Sequence, residues 1–446
     1  MAALIALALI LGLPVIPRRW RVCLLLPLAV FQIYPPWLVV GQLPVPLALI
    51  VTYAFWPELL REAKFLLAVK PIRLLLGVMV VMIISFLWSV NVRLGLVSLN
   101  NLLSFIVVFA GVASQARSNY RWIVHGLTMM YFASIALAAS VIAFRFAPTE
   151  KLIFLQTKVA TWFISSNTLT ELFQDGSNNV FDPDKSGGFA FVNGNGASTF
   201  LGVVAMVALG TGRAYRKPLH IVMGMLLLAA VPFAGSKAGL LLTFPALALF
   251  LVARIAKKER GAVVLLGLQA ALIAVLVIKI VGLTGSGASG PSLGGQISDT
   301  ADTRLQVWSF ALQMFIQSPI LGQGFGGWQV TFPSYARFAG VPTDLPPHNT
   351  FIYLWSQSGL IATIFALGFV MHILKRSFSY MTISDAELSG LGAMMALGYG
   401  WLLFQGFGEN EGLIGDVHMQ PVLAAALALF TVRVTARTER IQSGYA

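Results

Sequence analysis

His348 is the residue of this chain best suited to moving a proton. It stands in Asp344-Leu-Pro-Pro-His348-Asn349, where a long polar stretch closes and an apolar run begins, Thr350 to about His372. That run is long enough to span a bilayer. A side chain that titrates near neutral pH thus lies where water meets lipid, with Pro-Pro fixing its approach. Two cations belong to the same side. Lys237, in Gly235-Ser236-Lys237-Ala238-Gly239, sits at the outer mouth of an apolar segment, and Arg304 opens a loop helix. Two fixed positive charges beside a base suit a substrate with a phosphate leaving group. The cations stabilise charge that grows as the ester bond breaks, and the base takes a proton from the attacking hydroxyl.

Each residue also has a plainer use. An interfacial lysine snorkels or meets headgroups, an arginine on a loop helix is a solvated charge, and Asn349 is a good helix cap. The combination carries the chemistry, and other signals carry less. Gly322-Gln-Gly324-Phe-Gly326-Gly327 has a GxGxxG spacing, but no strand precedes it, and it reads as a turn after a helix that Pro319 ends. Asp299 and Asp302 have no third ligand nearby, so no metal site is expected. His125, His220 and His372 lie toward the other face without ligand partners by spacing. His418, near Glu409, Glu411 and Asp416, is a secondary candidate for substrate contact or structural pairing.

The elements that hold these residues must be membrane helices. Of 446 residues, 57% are hydrophobic and 11% charged, with mean hydropathy +0.81. A soluble domain is nearer a quarter charged. Apolar segments fall at 2–16, 22–40, 44–56, 71–89, 98–114, 121–145, 188–211, 218–233, 238–253, 261–282, 351–374, 388–404 and 421–434. Several are short for the ~20 residues a span needs. The expectation is an all-α polytopic membrane protein of about 12 transmembrane helices. Residues 1–282 form a helix bundle with a short outer excursion at about 147–187. Residues 283–350 form a large, partly helical outer loop bearing catalytic groups, and 351–446 add the last helices and a short tail. In the loop, Gly282 to Gly295 reads as flexible. Asp302 or Thr303 caps a helix through Gln317 with Leu305, Trp308, Leu312 and Phe315 as its apolar stripe. The first segment, lacking a basic leader, is expected to be retained. Cys23 alone excludes a disulfide framework.

The +13 net charge is distributed, not pooled. Arg18, Arg19 and Arg21; Arg61, Lys64, Lys70 and Arg73; Arg117 and Arg121; Arg213, Arg216 and Lys217; Arg254, Lys257, Lys258 and Arg260; Lys375 and Arg376; and Arg433, Arg437 and Arg440 occupy alternate loops. By the positive-inside rule that face is cytoplasmic, which puts 147–187, 283–350 and 405–420 outside. Basic residues therefore orient the chain among membrane lipids, and no nucleic-acid partner is expected. No acid is evident at mid-span, where an ion-coupled carrier would keep one.

At these residues the chain resembles the bacterial O-antigen ligase and O-antigen polymerase superfamily, most of all the ligase. The family signature is His, then Asn, Ser or Gln, nine residues, then Gly, which is similar to His348-Asn349-TFIYLWSQS-Gly359. Ser236-Lys237 resembles a basic residue after Ser at a span's outer end, where many members have Arg. Arg304, followed by Trp308 and Pro319-Ile-Leu-Gly322-Gln-Gly324, resembles an Arg opening a helix of the outer loop. Gly188-Phe-Ala-Phe-Val-Asn193-Gly194-Asn195 looks like a further motif that more often has Pro between its asparagines.

The resemblance implies an inner-membrane enzyme with a periplasmic site, moving a polysaccharide from undecaprenyl diphosphate to lipid A-core in lipopolysaccharide synthesis. It implies His348 as general base, Arg304 and Lys237 on the diphosphate, supporting roles for Asn349 and Asn195, inversion at the anomeric carbon, and no cofactor. A polymerase joining two lipid-linked chains is the nearest rival. A lipid-linked glycan flippase or exporter, a different class, would tolerate loss of His348, Arg304 and Lys237.

Overall fold

The computed structural model describes residues 2–40, 43–175, 178–243, 293–343, 345–408 and 417–442. Apart from a short antiparallel pair, β1 (Val39–Val40) on β2 (Leu43–Pro44), these residues form helices and their connections. The N-terminal elements are α1 (Ala2–Gly12), α2 (Arg18–Phe31), α3 (Leu47–Tyr53), α4 (Trp56–Arg61) and α5 (Ala63–Ala68). Longer helices follow: α6 (Lys70–Ser85), α7 (Val92–Asn119) and α8 (Arg121–Phe146). The excursion holds α9 (Pro148–Leu155), α10 (Ser166–Asp175) and α11 (Asn178–Phe181), and leads into α12 (Gly194–Ala214) and α13 (Pro218–Ala230). The remaining helices are α14 (Leu293–Gln317), α15 (Gly327–Ala339), α16 (Thr350–Met381), α17 (Ala386–Gly408) and α18 (Met419–Gln442).

Among the described residues, six helices are long and apolar enough to cross a membrane: Lys70–Trp88, Val92–Asn119, Arg121–Phe146, Gly194–Ala214, Thr350–Met381 and Met419–Glu439. A helix meets its backbone hydrogen bonds internally, which a bilayer demands. Glycines let the central helices approach closely. A Cβ at Gly202 would overlap Trp401, one at Gly210 Met394, and one at Gly390 Ala214, so α12 and α17 are nearly in backbone contact. Around that pair, α13 packs on α12 and α16 on α17; α6 covers α16, α18 packs on α7, and α2 on α8.

Several expectations change. The apolar run 22–40 is helical only to Phe31; Gln32 takes a left-handed conformation (φ 45°) and Pro35 and Pro36 follow. The run 44–56 is no span but breaks into α3 and α4, with Pro57 in the first turn of α4. Asp302 and Thr303 do not start the helix, because α14 already begins at Leu293, and Arg304 stands inside it. Leu305 and Leu312 are each 60% exposed, and the buried stripe is Val307, Phe310, Ala311, Met314 and Phe315. The segments at 244–292, Asp344 and the acidic stretch 409–416 lie outside the described residues.

Among the described residues, several of the basic clusters meet at one end of the bundle, while that at 254–260 lies outside the described residues. Arg21 of α2 forks onto Glu58 of α4 (2.8 and 3.1 Å), and Arg18 reaches both Glu58 and Ser114 of α7. Arg117 pairs with Glu62. Arg433 of α18 forks onto Glu387 of α17 (2.6 and 2.9 Å) and lies over Tyr120, which stacks on Tyr215. Arg213 donates to Ser389 at 2.8 Å. Chain direction then carries the starts of α12, α16 and α18, and the ends of α8, α13 and α17, to the opposite end.

Candidate functional site

At that opposite end α14 and α15 pack as a small cap. Val307, Phe310, Ala311, Met314 and Phe315 bury against Trp328, Phe332 and Ala336. Burial of each large side chain stabilises the cap by about 1.5–3 kcal/mol. Two indoles of this cluster also serve as donors. Trp328 Nε1 donates to the Leu345 carbonyl and Trp308 Nε1 to the Pro347 carbonyl, each at 3.0 Å. Pro346 and Pro347 have no N–H, so the strap's carbonyls are what the cap can hold. The strap delivers His348.

His348 has φ 48°, a left-handed conformation that costs a non-glycine residue about 1–2 kcal/mol. It is tethered on both sides. Upstream is the Trp308 bond; downstream Asn349 caps α16, its Oδ1 accepting from Phe351 (3.0 Å) and Ile352 (3.1 Å). Asn349 Nδ2 also donates to the Phe407 carbonyl at 3.4 Å, in the last turn of α17. Arg304 reaches the same turn. Its guanidinium lies 3.3 Å from where a Cβ on Gly408 would stand. Arg304 is also one turn before Trp308 on α14, the residue that bonds the strap carrying His348. The carbonyl end of α17 attracts both the guanidinium and the amide N–H.

Lys237 opens the helical stretch 237–243, whose first turn Ser236 caps through Gly239 N–H (3.2 Å). The preceding turn leans on the excursion: Ser186 N–H donates to the Ala234 carbonyl at 3.2 Å, and Gly235 backs onto Asp184. Arg145 holds Pro183 and Asp184 (2.7 and 2.8 Å), and Lys151 donates to the Lys185 carbonyl at 2.9 Å. Burial pulls the Lys151 ammonium below the usual lysine range, against the opposing attraction of Asp182. Asn193 caps α12 through Gly196 N–H at 2.8 Å, which sets Asn195 in the first turn. There Gly194 packs on the Ala234 carbonyl and Gly239 on Ser198. Ser198 in turn accepts from Gln405 of α17 at 3.3 Å. Contacts therefore run from the Lys237 turn through the start of α12 to the last turns of α17, where Arg304 and Asn349 meet.

Sequence reading missed three supports: the donor roles of Trp308 and Trp328, and the purpose of Gly359. Gly359 (φ 79°) interrupts α16, and residues 319–323 insert there. Leu360 N–H donates to the Pro319 and Ile320 carbonyls (3.2 and 3.1 Å), and Gln323 N–H to Ser356 (2.7 Å). Trp355 donates to Pro319 at 2.6 Å and stacks on Phe315, ring centroids 3.7 Å apart. The fixed interval from Asn349 was the available signal. Gly322 and Gly324 take positive φ in the inserted turn, in keeping with a turn. His418 stacks on Phe191 with centroids 4.2 Å apart, and its Nδ1 lies 3.0 Å from the Ala29 carbonyl; the acidic residues expected beside it lie outside the described residues. No group of His, Cys, Asp and Glu that could hold a metal is found among the described residues.

The fold is that of an all-α membrane protein in which, among the described residues, Arg18, Arg21, Arg117, Arg213 and Arg433 gather at one end and the candidate site residues lie at the other. Residues 222–367, a third of the chain, match the family described as O-antigen ligase. This agrees with the resemblance to the ligase and polymerase superfamily, since Lys237, Arg304, His348, Asn349 and Gly359 all fall within the match. The family supports a glycosyltransferase-like ligase or polymerase activity. No curated protein matches the chain.

Proposed function

We propose that the chain is an O-antigen ligase of the bacterial inner membrane, working on its periplasmic side. The donor is a glycan on undecaprenyl diphosphate and the acceptor a hydroxyl of lipid A-core. His348 takes the proton from that hydroxyl as its oxygen bonds to the anomeric carbon. The bond from that carbon to the diphosphate breaks on the opposite face, so the centre inverts. Arg304 and Lys237 hold the diphosphate as its charge grows. Asn349 fixes the approach of His348, and Asn195 lies in the α12 turn beside Lys237. The energy comes from the donor's phosphate ester, so the step takes no nucleotide, and neither metal nor cofactor has a role in it. The observation that carries this reading is the meeting of Arg304 and the His348-Asn349 segment at the last turn of α17.

The test is a reconstituted assay with chelator present and nucleotide absent, offering either lipid A-core or a second donor lipid as sole acceptor. Product on lipid A-core is expected. His348→Ala should lower the rate by roughly 10²–10⁴ while leaving donor binding largely intact. Arg304→Ala should weaken donor binding more than His348→Ala does. Product only with the second donor would make the chain a polymerase. Transport of the donor lipid without covalent product, surviving the loss of His348, Arg304 and Lys237, would favour a flippase, and loss of product on chelation would refute the metal-free step.

A further inference from the structure

A cavity of about 330 Å³ opens beside the first turn of α12, away from the strap that carries His348. Phe163 and Phe191 line it together with Ser165, Thr168, Asn193 and His418. Every one of these belongs to the outer end: the excursion supplies Phe163, Ser165 and Thr168, the approach to α12 supplies Phe191 and Asn193, and His418 precedes α18. The lining is mixed in a particular way. Tyr34 adds a third aromatic ring, and aliphatic surface from Ile164, Val192 and Val417 lies beside the hydroxyl, amide and imidazole groups, each able to donate or accept. A lipid tail would not use the polar groups, and a phosphate would find no fixed cation among them. A pyranose ring uses both kinds, because its C–H face is apolar and its rim carries hydroxyls. The volume also fits, since space for roughly eleven waters accommodates a sugar of about a dozen non-hydrogen atoms.

The place matters as much as the lining. Asn193 caps the turn whose Gly194 packs on the Ala234 carbonyl, just before Ser236 and Lys237. The ring of His418 is fixed rather than adaptable: a carbonyl only accepts, so Nδ1 carries the proton donated to Ala29, and Phe191 stacks on its face. Ser165 and Thr168 are likewise set by their mutual bond of 2.8 Å in the first turn of α10. We propose that this cavity is a subsite for one pyranose ring of the glycan handled next to it. Phe163 and Phe191 pack on the ring's C–H surface, and Ser165, Thr168, Asn193 and His418 bond its hydroxyls. The assignment rests on the glycosyl-transfer reading for which glycan arrives there, but ring binding itself can be measured without turnover.

The experiment is saturation-transfer NMR on the full chain in a detergent that contains no sugar. The probes are the methyl glycosides of glucose, galactose and N-acetylglucosamine. Transfer to the ring protons of at least one is expected, unchanged in His348→Ala. It should weaken about tenfold or more in Thr168→Trp, which fills the cavity, and in Phe163→Ala, which removes a stacking face. Unfolding curves of both variants establish that they are folded. In the transfer assay the same variants should raise KM for only one substrate, with kcat within about twofold; which KM moves tells donor ring from acceptor ring. Absence of transfer to all three probes overturns the subsite, as does transfer that survives Thr168→Trp. Ring binding without turnover in the unaltered protein would sink the ligase reading and leave the subsite standing.

Discussion

His348 is held in a backbone conformation that its side chain disfavours, and the residues beside it supply the restraint. Strain of this kind persists only where surrounding bonds over-determine it, and here they are the Trp308 and Asn349 contacts. Gly359 is the complementary case. Its φ of 79° with ψ of −178° lies in a region essentially reserved for glycine, and an added Cβ would collide with the Ile320 carbonyl. Gly340 shares the positive φ (69°) but has open space where a Cβ would go. Gly359→Ala should therefore destabilise the protein by more than the roughly 1–2 kcal/mol of backbone strain expected for Gly340→Ala, and should lower turnover. Thermal unfolding and rate measurements on both variants check this; equal losses would show that the inserted turn is not what requires Gly359.

At the scale of elements, caps and short straps decide more than long helices do. Asp385 caps α17 by accepting from Leu388 N–H at 3.0 Å and pairs with Arg437 at 3.0 Å. Burial alone would raise its carboxyl, but the Leu388 N–H and Arg437 outweigh it and hold the carboxyl below the usual range. A depressed folded pKa gives stability that is present above about 3.8–3.9, the unfolded value, and is lost as pH falls through the lower folded one. Asp385→Asn should flatten that acid limb and leave the neutral-pH fold intact, as pH-dependent unfolding would record. The motif from His348 to Gly359 was legible because it is local: one cap, nine helical residues, one break. The meeting of Arg304 with Asn349 was not legible, because it forms over Phe407 and Gly408, which contribute a carbonyl and the lack of a side chain. The stripe on α14 was misjudged because the helix has apolar residues on two faces, and periodicity alone does not say which one the cap covers. The run 44–56 was misjudged because hydropathy measures length and is silent about where a chain breaks.

For the whole molecule, charge placement is the most readable property. Of the clusters set out along the sequence, those of Arg21, Arg117, Arg213 and Arg433 meet at one end. If that end is cytoplasmic, a cysteine at Phe338 (92% exposed, on α15) should react with an impermeant maleimide in intact spheroplasts. A cysteine at exposed Lys375 should react only after permeabilisation. Cys23 is 3% exposed and supplies a silent background. The reverse pattern would turn the protein over in the membrane and remove the site from the periplasm. The break at Gly359 has a mechanical meaning as well. Since Leu360 and Gln323 stitch the inserted turn to α16, the cap and the upper segment bearing His348 are geared to each other. On the proposed reading, a glycan that tilted the cap on docking would turn the segment bearing His348 with it, so that seating the cargo and aiming the base would be one movement.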